Sequence, residues 1–331
     1  MNRNISRRSF LARSGVAVGA AAIAGPIAVQ HLAASTFPWD SSTWSVGCRD
    51  AMLPTTGQSD CWAAVKAIGA DAIEAVINED MLFTNLFHPM SQYSASDDEG
   101  LSHLADALSD NDCKIAALCM ANKFAARPEE EIAWCVQAAN AAKTLGAPAI
   151  RIDVVPHGME RPEFLQLAIR TLSTVIERTE STGVKFAIEN HGNTSNDPEF
   201  LTPLFEGVGS DRLGLTLDTA NFYWFGHPLS RVYEIYEQFA PRAFHTHCKS
   251  INYPKDQEDV QRPMGWEYGT YNCPIDEGDI DFARVLSILK SADYKGCLCI
   301  ENESLRPLTG EVATATLARE IQFLRGLQED M

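Results

Sequence analysis

The sequence predicts a single α/β domain that folds as a (β/α)8 TIM barrel after an N-terminal export signal. From Trp44 onward, short apolar runs alternate with longer amphipathic stretches, a pattern typical of parallel strands joined by helices. About eight such pairs fit into roughly 290 residues, and this number favours a closed barrel over an open sheet. A doubly wound dinucleotide-binding sheet is the alternative, but no Gly-x-Gly-x-x-Gly turn follows any of the apolar runs.

The runs assigned to strands are short and end at turn or polar residues. They lie at residues 44–49, 72–78, 114–121, 148–155, 184–190, 213–218, 242–248 and 296–302. The clearest helical patterns lie at residues 101–108 with their flanks, 129–145, 162–181, 229–239, 282–291 and 312–327. Helices without assigned bounds fill the remaining gaps. Pro128 before three glutamates indicates a helix start, and Gly146 and Gly183 follow helix ends.

Residues 1–35 have the layout of a twin-arginine (Tat) signal peptide. Arg7 and Arg8 precede Phe10 and Leu11, then an uncharged run follows, and small residues near position 35 suit cleavage. The run is too short and Gly-rich for a membrane span, which needs about 20 apolar residues, so we expect no stable membrane insertion. A basic N-terminal helix of the domain itself is the alternative. We expect the Tat translocase to export residues 36–331 to the periplasm as a folded, cofactor-loaded barrel.

The net charge limits the classes of partner. The chain carries a formal charge of -17, and because the first 35 residues hold four arginines and no acids, the remainder carries -21. A surface this acidic repels nucleic acid and anionic lipid. The nine cysteines form no Cys-x-x-Cys pair, so most should be small buried hydrophobes, although one or two disulfides stay open.

The longest irregular stretch is Ile251–Gly278. It contains four aromatic residues and three prolines, which favour an ordered lid over the site rather than a disordered insertion. Aromatic faces suit sugar rings, and Trp266 is the aromatic residue that we assign to substrate binding. A loop that packs on the barrel rim without contacting substrate is the alternative.

Polar side chains occupy the exits of the later strands. Glu189, Asp218, His247 and Glu301 each end an apolar run, where the carboxyl ends of parallel strands meet. Residues two apart share a face of a strand, so Arg151 and Asp153 point into the barrel, as do Glu189 with His191 and His247 with His245 and Lys249. Any one of these residues alone could be an ion-pair member or a buried core group.

Together the four residues indicate a divalent metal. Unpaired buried charges cost several kcal/mol each, and a cation held by three carboxylates and one imidazole resolves that problem. Oxygen donors with one nitrogen favour Mn²⁺, with Mg²⁺, Co²⁺ or Zn²⁺ as other candidates. His245, one layer deeper, is a supporting or core residue.

These segments resemble the xylose isomerase-like TIM barrel family, also called AP endonuclease family 2, within the sugar phosphate isomerase/epimerase superfamily. The family includes inosose dehydratases, tagatose 3-epimerase-type enzymes, hydroxypyruvate isomerases and endonuclease IV. The resemblance covers roughly residues 44–325. The matching segments are Ile188-Glu189-Asn190-His191-Gly192, Leu217-Asp218-Thr219-Ala220-Asn221, His245-Thr246-His247-Cys248-Lys249, Glu277-Gly278-Asp279-Ile280-Asp281-Phe282 and Ile300-Glu301-Asn302-Glu303.

The resemblance implies a role for each site residue. The metal ligands would be Glu189, Asp218, His247 and Glu301, and Glu189 and Glu301 would also be the catalytic acid/base pair. Substrate would be bound by His191, Lys249, Arg151 and Asn221, besides Trp266. The chain departs from the family pattern at Ser250, where an Asp is frequent, and at Pro274-Ile275-Asp276. Asn221 stands where endonuclease IV has a third-metal histidine, which argues against a DNA-repair nuclease.

The resulting hypothesis is a metal-dependent isomerase or epimerase of a sugar, keto-sugar or cyclitol that works through a metal-stabilised enediolate. Neutral substrates are favoured over sugar phosphates because no Gly-rich phosphate loop is visible. A lyase or dehydratase on a similar keto-sugar is the alternative, since elimination begins with the same proton abstraction. A metal-dependent hydrolase and a non-catalytic carbohydrate-binding barrel are further alternatives, and a homo-oligomer is compatible with all of them.

Overall fold

A computed structural model describes residues 43–331 of the chain. The predicted signal peptide and the start of the predicted domain lie outside the described residues. Within residues 43–331, eight parallel strands form one sheet in the order of the chain, with the last strand beside the first. A parallel bridge between Cys248 and Ile300 joins the two ends of the sheet. The chain therefore forms a (β/α)8 barrel, and the predicted fold class is confirmed.

The barrel strands match the predicted apolar runs to within a few residues. They are β1 (Val46–Arg49), β2 (Ala72–Val76), β3 (Lys114–Met120), β4 (Ala149–Ile152), β5 (Lys185–Glu189), β6 (Leu213–Asp218), β7 (Ala243–His247) and β10 (Leu298–Ile300). The intervening short strands β8 (Ser250–Ile251) and β9 (Asn272–Cys273) pair with each other in antiparallel fashion. They anchor the two ends of the predicted lid beside β7.

Helices connect the strands on the outside of the barrel. They are α1 (Cys61–Ile68), α2 (Asp98–Asp110), α3 (Pro128–Leu145), α4 (Arg161–Arg178), α5 (Pro198–Val208), α6 (Asn221–Phe225), α7 (Leu229–Phe239), α8 (Tyr268–Tyr271), α9 (Phe282–Ser291) and α10 (Glu311–Glu329). All the helices with predicted bounds are present. Short 3₁₀ turns at Asp50–Thr56, Glu180–Thr182, Ala240–Arg242 and Glu303–Leu305 complete the connections.

The predicted helix ends follow from glycine conformation. Gly146 takes a left-handed conformation with φ of 71° and ends α3 as expected. The helix predicted to reach residue 181 ends at Arg178 instead, because the chain tightens into the Glu180–Thr182 turn before Gly183, where φ is 70°. The sequence pattern located the Gly183 stop correctly but could not separate the α-helix from the 3₁₀ turn.

Small side chains fill the barrel at the end opposite the candidate site. Ala72, Ala116, Cys297 and Cys299 form a separate buried cluster there. A Cβ atom added at Gly47 would lie 2.3 Å from the Ala72 carbonyl oxygen, so the strands approach too closely for a side chain at this position. All nine cysteines lie within the described residues and none of them forms a disulfide there.

The predicted lid packs against the loop after β6. The Arg262 guanidinium lies 4.4 Å from the centre of the Tyr223 ring and 4.3 Å from that of Tyr253. Its Nη2 donates hydrogen bonds to the backbone oxygens of Tyr223 (3.1 Å) and His227 (3.2 Å). The buried Arg262 side chain thus connects the lid to α6 through cation–π contacts and hydrogen bonds, and it stabilises one position of the lid.

None of the helices in the described part of the chain has the length and apolar character that a bilayer crossing requires.

Candidate metal centre and active site

Four polar side chains converge at the carboxyl ends of the strands. Glu189 and Asp218 end β5 and β6, His247 ends β7, and Glu301 follows β10. All four residues are buried. One potential ligand atom from each lies within 4.8 Å of the corresponding atoms of the other three. The structure therefore brings together the four residues predicted to be metal ligands.

The Nδ1 atom of His247 is the centre of this group. It lies 2.9 Å from Glu189 Oε1, 3.2 Å from Glu301 Oε2 and 3.8 Å from Asp218 Oδ2. Separations of this size are typical of atoms that bind one divalent cation.

The two oxygens of the Asp218 carboxylate have different partners. Its Oδ1 accepts hydrogen bonds from the backbone N–H groups of Ala220 (2.8 Å) and Asn221 (2.7 Å). Its Oδ2 is buried and pairs with Lys249 Nζ at 3.0 Å, and no backbone N–H among the described residues donates to it. A buried carboxylate oxygen in this state is suited to coordinate a cation, so the residues present fit a divalent metal.

Within residues 43–331, two other groups of side chains also have a metal-ligand composition. Like the four-residue group, each of them contacts a cationic side chain. In the group of Glu74, His245 and His247, Glu74 Oε1 lies 2.8 Å from Arg49 Nε. The second group surrounds Asp153, whose Oδ2 lies 2.9 Å from Arg151 Nη1. The group around His247 Nδ1 offers four donors, three of them carboxylates, whereas each of the other two groups offers three donors. The four-residue group is therefore the better site for a divalent cation.

Burial and neighbouring charges act in opposite directions on the acidic groups. Burial raises the pKa of the Asp218 carboxyl, although Lys249 opposes the shift. Burial would also raise the pKa of Glu301, but the positive charges of Lys249, Arg49 and His247 hold that pKa well below its usual range. For His247, burial would lower the pKa, but Glu74 and Glu301 raise it to about 9. A metal and a proton therefore compete for the His247 ring.

A pocket of about 320 Å³ opens above the four donors. Basic, acidic and aromatic side chains share its wall. The lining residues are Arg49, Arg151, Glu189, His191, Asn221, Trp224, Lys249, Tyr268, Glu301 and Glu303. Its volume suits a small polar molecule with one flat face against the aromatic rings.

Most residues predicted to bind substrate lie in this pocket, and one does not. Arg151, His191, Asn221 and Lys249 all line it. Trp266 instead packs in the lid with its ring centre 5.8 Å from that of Tyr271 and 5.6 Å from that of Tyr253. The assignment of Trp266 to substrate binding stays a prediction, because these ring contacts place the residue in the lid and do not test its contact with a substrate.

Several pocket residues were not identified from the sequence. Trp224 and Tyr268 provide the aromatic surface, and Tyr268 donates a hydrogen bond from its hydroxyl to Glu303. Arg49 ends β1 and contacts both Glu74 and Glu301. Glu74 was also not identified, although a glutamate inside the apolar β2 segment Ala-Ile-Glu-Ala-Val could have indicated a buried, paired carboxylate.

The model of the xylose isomerase-like TIM barrel family matches residues 62–327 of the chain. This range includes the four candidate metal ligands. It also includes every residue that lines the pocket except Arg49.

Two curated proteins are similar to part of the chain. An uncharacterized protein of Methanocaldococcus jannaschii is 28% identical over 148 residues, which are 44% of this chain and 45% of that protein. The inosose dehydratase of Histophilus somni is 25% identical over 147 residues, which are 43% of this chain and 48% of the dehydratase. The chain spans about half the length of the curated relatives that it matches.

Solved structures share the fold over most of the chain. A xylose isomerase-like TIM barrel protein from Mycobacterium smegmatis in complex with magnesium has a TM-score of 0.63 at 15% identity, covering 88% of this chain and 98% of that one. The IolI protein with a bound zinc atom has a TM-score of 0.62 at 21% identity, covering 85% of this chain and 97% of that one. L-ribulose 3-epimerase has a TM-score of 0.59 at 16% identity, covering 87% and 95%. At these identities the likeness shows the fold.

Proposed function

The chain belongs to the xylose isomerase-like TIM barrel family, and from that premise we propose that it is a metal-dependent enzyme that transfers a proton next to the carbonyl group of a sugar-like substrate. The observation that carries the proposal is the convergence of three carboxylates on Nδ1 of His247 below a polar pocket. A non-catalytic binding barrel does not need three buried carboxylates around one histidine nitrogen. A site that moves protons does need them.

Glu189, Asp218, His247 and Glu301 would hold the cation. We favour Mn²⁺ because its ligand preferences suit three carboxylates and one imidazole. Mg²⁺ and Zn²⁺ are supported by the fold neighbours solved with these ions, and Co²⁺ remains a further candidate. A cation in this position supplies a Lewis acid that polarises a substrate carbonyl.

Glu189 and Glu301 are the proposed acid/base pair. Each reaches His247 Nδ1 with one carboxylate oxygen, and each also lines the pocket. One carboxylate removes the proton from the carbon next to the carbonyl, and the other returns a proton to the enediolate. Return to the opposite face gives an epimer, and return to the neighbouring carbon gives an isomer.

The charge at the site suits an enediolate. Four buried carboxylates and three cationic side chains surround His247. They are Glu74, Glu189, Asp218 and Glu301, with Arg49, Arg151 and Lys249. Arg151 also contacts Asp153, and Lys249 lies 3.8 Å from Glu303. A bound divalent cation would add two positive charges here, and together with the three cationic side chains it would stabilise the negative charge of an enediolate more than the neutral substrate.

Substrate would lie between the cationic wall and the aromatic wall of the pocket. Arg151, Lys249, His191 and Asn221 can donate hydrogen bonds to hydroxyl or carbonyl oxygens. We place the apolar face of the substrate ring against Trp224, on the evidence that this aromatic residue lines the pocket whereas Trp266 does not.

A dehydratase is the second candidate, and the similarity to inosose dehydratase favours it. The first step is the same abstraction of the proton next to the carbonyl. The C–O bond at the next carbon then breaks, and its hydroxyl leaves as water after taking a proton from an acid of the site. Tyr268 and His191 are candidates for that acid because both line the pocket.

Deuterium exchange tests both candidates. We expect the protein with Mn²⁺, incubated in D₂O with ketoses, keto-glycosides and inososes, to introduce deuterium next to the carbonyl of at least one of them. Uptake should exceed that of the chelator-treated protein by at least about tenfold. Mass spectrometry measures the uptake, and NMR of the product distinguishes an isomer or epimer from an eliminated product. A protein that binds the metal and exchanges no substrate would contradict the proposal.

We also propose export by the Tat pathway to the periplasm, on the basis of the sequence of residues 1–35. Replacing both arginines of the pair, Arg7→Lys with Arg8→Lys, should leave the precursor in the cytoplasm, because the translocase recognises the pair. Cell fractionation and immunoblotting measure the distribution. Arg3→Lys is the matched control, since it changes an arginine outside the pair and should be exported normally. Normal export of the double variant would show that residues 1–35 have another role.

A further inference from the structure

We propose that Glu74 is a positioning residue that orients His247 toward the metal. Glu74 lies on β2, which carries none of the proposed ligands, and its side chain is fully buried. Its Oε2 atom lies 2.7 Å from Nε2 of His247. The inference rests on the proposed function, because it concerns the residue that would supply the only nitrogen ligand.

The two ring nitrogens of His247 face different groups. Nε2 faces Glu74, and Nδ1 faces Glu189, Glu301 and Asp218. A neutral imidazole carries a proton on one nitrogen and a lone pair on the other, and an ionised carboxylate can only accept a hydrogen bond. Carboxylates face both ring nitrogens, so the geometry alone does not choose between them. A cation held by Nδ1 and the three carboxylates would leave the single ring proton on Nε2, where Glu74 accepts it.

This arrangement leaves the Nδ1 lone pair directed at the proposed cation. In the other tautomer, Nδ1 would carry the proton and could not coordinate a metal, and the Nε2 lone pair would face the Glu74 oxygen at 2.7 Å. Both consequences are unfavourable. A carboxylate that accepts the second N–H of a ligating histidine is a recurrent way to fix ring orientation and to increase the basicity of the ligand.

The contacts of Glu74 also connect it with Glu301. Its Oε1 lies 2.8 Å from Nε of Arg49, and the Nη1 of the same guanidinium contacts Glu301. Its Oε2 lies 2.9 Å from Nε2 of His245 as well. Glu74 thus supports two proposed ligands from one buried position. A purely structural ion pair between Glu74 and Arg49 is the competing explanation, and it predicts no effect on metal affinity beyond a loss of stability.

Metal affinity separates the two explanations. Calorimetric titration with Mn²⁺ alone should show that Glu74→Gln binds about 10–100-fold more weakly than the unchanged protein, the range expected when a group that supports a histidine ligand is removed. Asp50→Asn is the matched control. Asp50 is an equally buried carboxylate beside β2, but its oxygens accept from the Val76 N–H and the Asn85 amide and contact no proposed ligand. Its variant should bind Mn²⁺ within about twofold of the unchanged protein.

The tautomer can be read from the unchanged protein and does not depend on whether a variant folds. With ¹⁵N-labelled histidine and Zn²⁺ as a diamagnetic probe, long-range ¹H–¹⁵N spectra should place the His247 ring proton on Nε2. Equal Mn²⁺ affinity in Glu74→Gln and the unchanged protein would overturn the role of Glu74 while leaving the metal centre intact. A ring proton on Nδ1 would overturn both the role of Glu74 and that of His247 as a ligand, because a protonated nitrogen cannot coordinate a metal. An unchanged protein that binds neither ion would instead overturn the proposed centre and this inference with it.

Discussion

Replacing Glu301 with glutamine should reduce metal-dependent deuterium uptake by about 10³-fold, within the range that a positioned general base contributes. Glutamine has nearly the same shape but cannot accept the substrate proton. It also keeps one carbonyl oxygen near Nδ1 of His247, so the fold should change little. The variant is measured at an Mn²⁺ concentration that saturates it, as determined by titration, so that weaker metal binding does not account for the loss.

Glu303→Gln is the matched control for this prediction. Glu303 lies two residues further along the chain, lines the same pocket and contacts Tyr268, but it does not reach His247. Its replacement should reduce exchange by less than about tenfold, the size of effect expected for one contact at the pocket wall. Equal losses in the two variants, or full exchange in Glu301→Gln, would remove Glu301 from the proposed acid/base pair.

The barrel could be predicted because each strand has a pattern that is visible in its own short segment of sequence. The segment that ends at Asp218, for example, is a run of buried residues followed at once by a charged side chain, and both features are visible without a structure. Once a closed parallel barrel is accepted, the ends of its strands must converge. The alternation of side chains along β7 then directs His245 and His247 to the same interior. The grouping of the four proposed ligands followed from these two rules.

The partner of His247 on its far side could not be predicted in this way. Glu74 lies 173 residues away in the chain. Alternation predicts only that Glu74 points inward. It does not predict which inward group Glu74 meets, because that depends on the stagger of strands across the barrel. A single sequence contains no direct record of such a long-range pairing.

The lid shows a second limit. Its aromatic composition correctly predicted an ordered segment near the site, but not which ring faces the pocket. Gly265 allows the chain to pass close to Trp224, since a Cβ atom added there would lie 3.2 Å from the indole nitrogen. The path through this point sends Trp266 into a cluster with Tyr271 and brings Tyr268 to the pocket. Side-chain direction in an irregular segment follows from such local contacts, not from residue spacing.

Replacing Asp218 with asparagine should abolish the stabilisation that a bound metal gives the protein. In the unchanged protein, Mn²⁺ at one hundred times its dissociation constant should stabilise the fold by about 2.7 kcal/mol. This corresponds to a rise of about 4–5 °C in Tm for a domain of about 290 residues. Scanning calorimetry with and without Mn²⁺ measures the rise.

The asparagine side chain can retain the backbone contacts of the original residue while losing its coordinating oxygen. Its carbonyl can still accept from Ala220 and Asn221, but its amide group would replace Oδ2 and face Lys249 Nζ, which lies 3.0 Å from that atom. We expect metal affinity to fall by more than the 10–100-fold typical of a supporting residue. The metal-free variant should be less stable than the unchanged protein, because Lys249 loses one ion-pair partner and keeps only Glu301 and Glu303.

Glu131→Gln is the matched control that separates loss of metal binding from loss of any buried carboxylate. Glu131 is a buried carboxylate outside the site, held by Asn122 Nδ2 at 2.7 Å and Arg127 Nε at 2.8 Å. Its replacement should lower the Tm of the metal-free protein and leave the rise with Mn²⁺ unchanged, whereas Asp218→Asn should remove that rise. If Asp218→Asn keeps the full rise with Mn²⁺, the cation is held without Asp218, and its Oδ2 atom is then not a metal ligand.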